Sequence, residues 1–134
     1  MAVAVDAPGS GEAETDVISL TIPAAMRFVR LVRIGAASIA RRKGLSVRAI
    51  DDLRLAIDET FALLLNDEDH AGSVDVTFEV DDHEILVSAS QRLDAGPRLT
   101  DLDDIVRFEV VVADLVDRFD ADPAAGVVQF TKLV

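Results

Sequence analysis

Strands are predicted where apolar and polar side chains alternate along the chain. Residues 17–22, 74–80 and 85–89 follow this alternation, which is the period of a strand that buries one face. The polar residues 81–83 separate the last two segments by a short turn, so these segments are predicted to form a hairpin. The apolar segment 127–134 is predicted to be the final strand.

Helices are predicted where apolar residues recur at the spacing of a helical turn. The first predicted helix spans residues 24–43, with Pro23 placed to open it and Gly44 placed to end it. Ser46 is a suitable N-cap for a second helix, which reaches about Leu65. These two helices follow one another with no strand between them.

The remaining segments complete the predicted order of elements. A loop is predicted over residues 91–100 and a third helix over residues 101–119. Residues 1–15 lack periodicity and are predicted to be a flexible tail before a single domain, residues 16–134. The order strand-helix-helix-strand-strand-helix-strand predicts an α+β fold. We expect a two-layer sandwich in which helices cover one face of a mostly antiparallel sheet.

Composition excludes several classes of protein. A chain of 134 residues that is 50% apolar is large enough to bury one core. The absence of cysteine excludes disulfides, a thiol nucleophile and cysteine-ligated metals. No apolar run approaches the roughly 20 residues that span a bilayer, and the N-terminus lacks the basic start of a signal peptide. We therefore expect a cytoplasmic protein with no membrane partner.

The charge is large, negative and unevenly distributed. A net charge of −12 disfavours direct binding to nucleic acid. Residues 17–50 nevertheless hold seven basic side chains and no acidic one, and Arg27, Arg30 and Arg33 share one side of the first predicted helix. These arginines are either a solvated face that pairs with the chain's own acids or a docking surface for an acidic partner.

Few residues suggest catalysis by themselves. His70 and His83 lie in separate predicted loops beside acids, a placement typical of solvated histidines, so no metal site is predicted. The sequence contains no nucleophile-elbow motif, no phosphate-binding loop of the Walker type and no dinucleotide fingerprint.

Four short segments and one arginine together resemble a known family. Residues 52–60 read Asp-Leu-Arg-Leu-Ala-Ile-Asp-Glu-Thr, and residues 22–24 read Ile-Pro-Ala before a helix that carries Arg33. Residues 94–96 read Asp-Ala-Gly after the hairpin, and residues 130–132 read Phe-Thr-Lys in the last strand. In this order, over nearly the whole chain, they resemble the anti-sigma-factor serine kinases, the RsbW/SpoIIAB family of the GHKL ATPase superfamily. The resemblance implies the GHKL (Bergerat) type of sandwich.

The resemblance also implies roles for individual residues. Glu59 matches the general base that activates a serine hydroxyl, since the hydroxyl must lose its proton to attack phosphorus. Asp94 matches the aspartate that binds the adenine amino group, and Gly96 matches a glycine beside the nucleotide. The family has a magnesium-binding asparagine at the position of Leu63. It has its next glycine at the position of Arg98.

The phosphate-binding part of the family's site also departs from the pattern. Only residues 97–100 separate Gly96 from the third helix, so the glycine-rich lid is missing. That helix begins with Asp101, Asp103 and Asp104, whose charges oppose phosphate at a helix N-terminus. Residues 107–110 read Arg-Phe-Glu-Val and lack the expected glycines.

The function implied is that of an anti-sigma factor that sequesters an RNA polymerase sigma factor, with ATP binding and kinase activity weakened or lost. The alternative is an active ATP-dependent serine kinase that phosphorylates an anti-anti-sigma factor. The implied partners are a sigma factor, an anti-anti-sigma antagonist and a second copy of the chain. Arg33 matches the family's sigma-contacting arginine, with Arg27 and Arg30 beside it. No cofactor is required in the first case, and ATP with magnesium is required in the second.

Overall fold

A computed structural model describes residues 14–134, which form a five-stranded sheet and three helices. The sheet has the order β1-β2-β3-β5-β4, and every neighbouring pair of strands is antiparallel. The strands are β1 Asp16–Pro23, β2 Gly72–Val80, β3 Glu84–Leu93, β4 Arg118–Asp122 and β5 Val127–Leu133. The helices are α1 Val29–Arg42, α2 Val47–Leu65 and α3 Leu102–Ala113, with a single 3-10 turn at Met26–Phe28.

The three helices pack on one face of the sheet. In β2 the side chains of Val74, Val76, Phe78 and Val80 are buried, whereas those between them are partly exposed. This is the alternation expected of a sheet with one covered face. The core contains Phe61 of α2 together with aromatic side chains from α3 and β5. The predicted α+β two-layer sandwich is therefore confirmed.

The second helix carries the candidate base and is held at both ends by local sequence. The Ser46 hydroxyl accepts a hydrogen bond from the Ala49 amide at 3.1 Å, which confirms the predicted N-cap. Asn66 adopts a left-handed conformation with φ of 51° and ends the helix. Between these ends, α2 packs against both α1 and α3.

The predicted third helix was too long, and a strand was missed. Helix α3 ends at Ala113, and residues 118–122 form β4, which pairs with β5 through Phe119 and Phe130. Apolar residues at 112, 115 and 119 fit a helical period, which is why the sequence predicts a longer helix. Pairing with β5 decides the outcome, and it leaves the partly buried Phe119 in an edge-to-face contact with Phe108, with ring centroids 6.1 Å apart.

Two other boundaries differ from their predictions. The predicted loop 91–100 begins later, because residues 91–93 continue β3 alongside β2. The first helix begins at Val29 rather than at residue 24, since Pro23 is still paired with Ser73 in the sheet. Apart from Glu14 and Thr15, the predicted tail 1–15 lies outside the described residues. Within residues 14–134, no helix is long and apolar enough to cross a membrane.

Candidate functional site

The candidate base, Glu59, is engaged by an arginine from another helix. Arg107 of α3 donates from Nη2 to Oε1 at 2.8 Å and from Nη1 to Oε2 at 3.1 Å. The Glu59 side chain is only 15% exposed, whereas that of Arg107 is 64% exposed. This is the bidentate pairing that guanidinium and carboxylate groups favour. Each carboxylate oxygen of Glu59 thus already accepts a hydrogen bond from Arg107, which competes with any attacking hydroxyl for this carboxylate.

The residue one helical turn beyond Glu59 belongs to the core. Leu63 is 3% exposed and packs with the other buried side chains of α2. Magnesium requires oxygen ligands, and an aliphatic side chain supplies none. The position at which the family resemblance expects a magnesium-binding amide is therefore filled by packed hydrocarbon.

Arg98 covers the C-terminal end of α2. Its Nη2 donates to the Leu63 carbonyl at 2.6 Å and its Nε donates to the Leu64 carbonyl at 3.3 Å. The last carbonyls of a helix have no partner within the helix and carry partial negative charge, so a guanidinium group stabilises them. The neighbouring Leu65 carbonyl lies 2.9 Å from Nε2 of His70, which donates there when that nitrogen carries the hydrogen.

Asp94 and Gly96 lie together in the loop that follows β3. The Asp94 amide donates to the Ala71 carbonyl at 3.0 Å, and Gly96 has φ of 85°, a conformation that favours glycine. A Cβ added to Gly96 would meet no atom within 4 Å, so the local turn, rather than a close approach, requires glycine there. The cleft that these residues line with His70 and Arg98 has a volume of about 250 Å³.

The surroundings of Asp94 and Gly96 differ from those expected of a magnesium-nucleotide site. Small-molecule pockets usually measure about 300–1,000 Å³, and this cleft is smaller. The first turn of α3 carries Asp103 and Asp104, so the helix end that could attract phosphate is already negative. Among residues 14–134, no group of three or more His, Asp or Glu side chains is placed to hold a metal ion.

Arg27, Arg30 and Arg33, which share one side of the first predicted helix, have different surroundings. Arg27 pairs with Asp69 at 2.8 Å and lies 4.8 Å over the ring of Phe28. Arg33 pairs with Asp58 of α2. Arg30 makes no ion pair with any described residue. Two of the three thus pair with the chain's own acids, and Arg30 is the exception.

Sequence reasoning missed the roles of two arginines at this site. Arg107 and Arg98 stand at positions that the family resemblance assigns to glycine-containing segments, and the sequence indicated only that glycine is absent there. Their partners lie 48 residues away for Arg107 and about 35 residues away for Arg98. The only signal in the sequence was an arginine in a segment where the family resemblance expects glycine, and this does not identify the residue that the arginine contacts.

The chain is similar in sequence and in fold to RsbW proteins. It is 28% identical over 78 residues to the serine-protein kinase RsbW of Oceanobacillus iheyensis, a match that covers 54% of this chain and 49% of that protein. The chain thus spans about half the length of this curated relative. No family model matches the chain.

A solved structure shows the same fold. The chain matches part of the crystal structure of the RsbU and RsbW domains of Rv1364c from Mycobacterium tuberculosis, with a TM-score of 0.61 at 19% sequence identity. The match covers 87% of this chain and 32% of that one. The resemblance to RsbW-like proteins, and with it the GHKL type of sandwich, is confirmed.

Proposed function

We propose that the protein is an anti-sigma factor that binds and sequesters an RNA polymerase sigma factor in the cytoplasm, with ATP binding and kinase activity weakened or lost. The observation that carries this proposal is the pairing of both Glu59 oxygens with Arg107. The base of the family's reaction is held within the protein's own structure, beside a buried Leu63. What the fold retains is a surface on which another protein can bind.

Sequestration requires no phosphoryl transfer. A sigma factor and an anti-anti-sigma antagonist that bind overlapping surfaces exclude one another, and the outcome depends only on their affinities and concentrations. The antagonist would then release the sigma factor by competition alone. The family resemblance also leads us to propose a homodimer, in which each copy presents the same surface.

The first helix supports a partner-binding role. Arg30 is exposed without an ion pair among the described residues, and Arg33 is half-buried against Asp58. An acidic group on a partner can pair with Arg30 directly and can compete with Asp58 for Arg33. Arg27 is exposed in the 3-10 turn before α1 and is the third arginine of the proposed sigma-binding surface.

The test is direct binding to sigma factors in the absence of nucleotide. Each sigma factor of the source organism is titrated with the purified full chain, and transcription by the matching holoenzyme is measured in parallel. We expect one sigma factor to bind and its transcription to fall without ATP. Absence of binding to every sigma factor, or inhibition that appears only with ATP, would overturn the proposal.

An active serine kinase is the second candidate, because the curated relative is named a serine-protein kinase. The exposure of Arg107 favours this alternative, since a side chain that is 64% exposed can swing away and release Glu59. Glu59 would then act as the base and Asp94 would bind adenine. Transfer of labelled phosphate from ATP to the anti-anti-sigma factor, abolished by Glu59→Gln, would favour this reading.

A further inference from the structure

A basic groove lies between α1 and α2. Its volume is about 500 Å³, and none of the side chains that line it is acidic. Four arginines line it, with small and apolar side chains between them. We call this site the arginine groove and define it by the lining residues Arg30, Arg33, Ile34, Ala37, Arg41 and Arg54.

The groove follows one stripe of α1. Arg30, Ile34, Ala37 and Arg41 are spaced by four, three and four residues, so they lie in line along one side of the helix. The stripe therefore has a cation at each end and apolar side chains between them. At 1.5 Å per residue it is roughly 16 Å long, which is the length of about three helical turns.

Charge in the groove is only partly compensated within the protein. Arg33 pairs with Asp58, and Arg54 lies 3.6 Å from Asp51, a long and exposed contact. Arg30 and Arg41 make no ion pair with any residue of the described chain. Four neighbouring guanidinium groups repel one another, and an acidic ligand relieves that repulsion. In a chain with a net charge of −12, such a concentration of cations is distinctive.

Exposed apolar side chains accompany the arginines. Ile34 is 54% exposed within the groove, and Leu31, next to it on α1, is 52% exposed. Leu55, which follows Arg54 on α2, is also about half exposed. Apolar side chains between arginines are typical of protein interfaces, where the apolar centre is buried and the arginines pair at its edge. Nucleic acid and free phosphate would leave the apolar centre uncovered.

We infer that the arginine groove is the docking site for an acidic amphipathic helix of a protein partner. Apolar side chains of that helix cover Ile34, and its carboxylates pair with Arg30 and Arg41 at the two ends and with Arg54 at the side. This inference deepens the proposed function, on which it rests for the partner's identity. It adds Arg41 and Arg54 to the surface and leaves out Arg27, which does not line the groove.

The test uses a defined probe and a matched control. The probe is a synthetic, fluorescently labelled helical peptide of about four turns, with glutamates flanking two leucines on one face. Its affinity for the full chain is measured by fluorescence anisotropy. The variant is Arg41→Glu with Arg54→Glu. The control, Arg42→Glu with Arg48→Glu, makes the same change in net charge at two exposed arginines on the same helices that do not line the groove.

We expect at least tenfold weaker binding for the groove variant and less than a twofold change for the control. A peptide with lysine in place of glutamate should not bind. Equal losses in both variants would mean general charge attraction, and no loss in either would mean another site; both results overturn the inference. Arg41→Gln with Arg54→Gln, checked for an unchanged melting temperature, repeats the test without added negative charge.

A second arm separates this inference from the proposed function. The same variants are titrated with the sigma factor identified by direct binding. Loss of sigma binding in the groove variant alone supports both proposals. Sigma binding that is unchanged in the groove variant overturns the groove inference and leaves the anti-sigma function standing. If no sigma factor binds but the peptide does, the groove inference stands and the proposed function fails.

Discussion

Arg107 and Glu59 form a bidentate ion pair that links α3 to α2. Glu59 is largely buried in this pair, so the pairing is tighter than that of two fully exposed side chains. It places a cation directly against the carboxylate that the family resemblance makes a catalytic base. The same contact thus stabilises the packing of two helices and pairs the Glu59 carboxylate within the protein.

Replacement of Arg107 by alanine is predicted to destabilise the protein without creating an ATPase. The free energy of unfolding should fall by about 1 kcal/mol, because a partly exposed ion pair contributes modestly. Denaturant unfolding measures this change, and Arg118→Ala, which removes a more exposed pair with Glu84, is the control and should lose less. ATP hydrolysis that appears in the Arg107 variant would mean that the ion pair blocks an otherwise competent site.

Replacement of Arg98 by alanine is predicted to loosen the end of α2. Two of its hydrogen bonds reach the carbonyls of Leu63 and Leu64, so their loss should cost about 1–3 kcal/mol. Arg98→Lys should recover only part of this, because an ammonium group lacks the planar fork that spans two carbonyls. Amide hydrogen exchange around residues 63–66 should speed up in the alanine variant, and unchanged exchange there would argue against the capping role.

Restoring an amide at position 63 is predicted to harm the fold without restoring nucleotide binding. Leu63→Asn puts a polar group into a buried apolar site and should cost about 2–4 kcal/mol, whereas Leu63→Met should cost less than about 1.5 kcal/mol. Thermal melting with and without Mg-ATP measures both effects. A clear rise in the melting temperature of the asparagine variant with Mg-ATP would show that the rest of the nucleotide site is intact.

Asp81 is predicted to give the hairpin a pH-dependent share of its stability. Its Oδ1 accepts hydrogen bonds from the amides of His83 at 2.7 Å and Glu84 at 2.9 Å, which hold the pKa of Asp81 below its ordinary value of 3.8. A lowered pKa stabilises the folded state above the ordinary pKa, and this contribution is lost as the pH falls through the folded pKa. The stability gap between the protein and Asp81→Ala should be constant near neutral pH and should shrink below about pH 4. A gap that does not change with pH would contradict this assignment.

The sequence predicted those parts of the fold that local patterns determine. The hairpin of β2 and β3, the Ser46 cap and the end of α2 at Leu65 depend on neighbours in the chain, and the sequence predicts all three. Strand β4 was missed because five residues alternate too briefly to outweigh a helical spacing of apolar residues that precedes them. Pairing with β5, which is a tertiary contact, decides between the two.

The candidate site was predictable where the family motifs are local and unpredictable where partners are distant. The sequence itself shows leucine at position 63, where the family resemblance expects asparagine. The structure adds that the Leu63 side chain is packed in the core. The pairing of Arg107 with Glu59 joins residues 48 positions apart, which one sequence does not reveal. The sequence predicted only part of the arginine groove. Arg30 and Arg33 share one side of the first helix, whereas Arg54 reaches the groove only because α2 packs on α1.

Calorimetric titration of the full chain with Mg-ATP tests the central claim most directly. With Glu59 paired to Arg107, Leu63 in the core and a cleft of about 250 Å³ beside Asp94, we predict no measurable heat of binding and no rise in melting temperature at millimolar nucleotide. Micromolar binding that is abolished by Asp94→Asn would contradict the account and would favour the serine kinase.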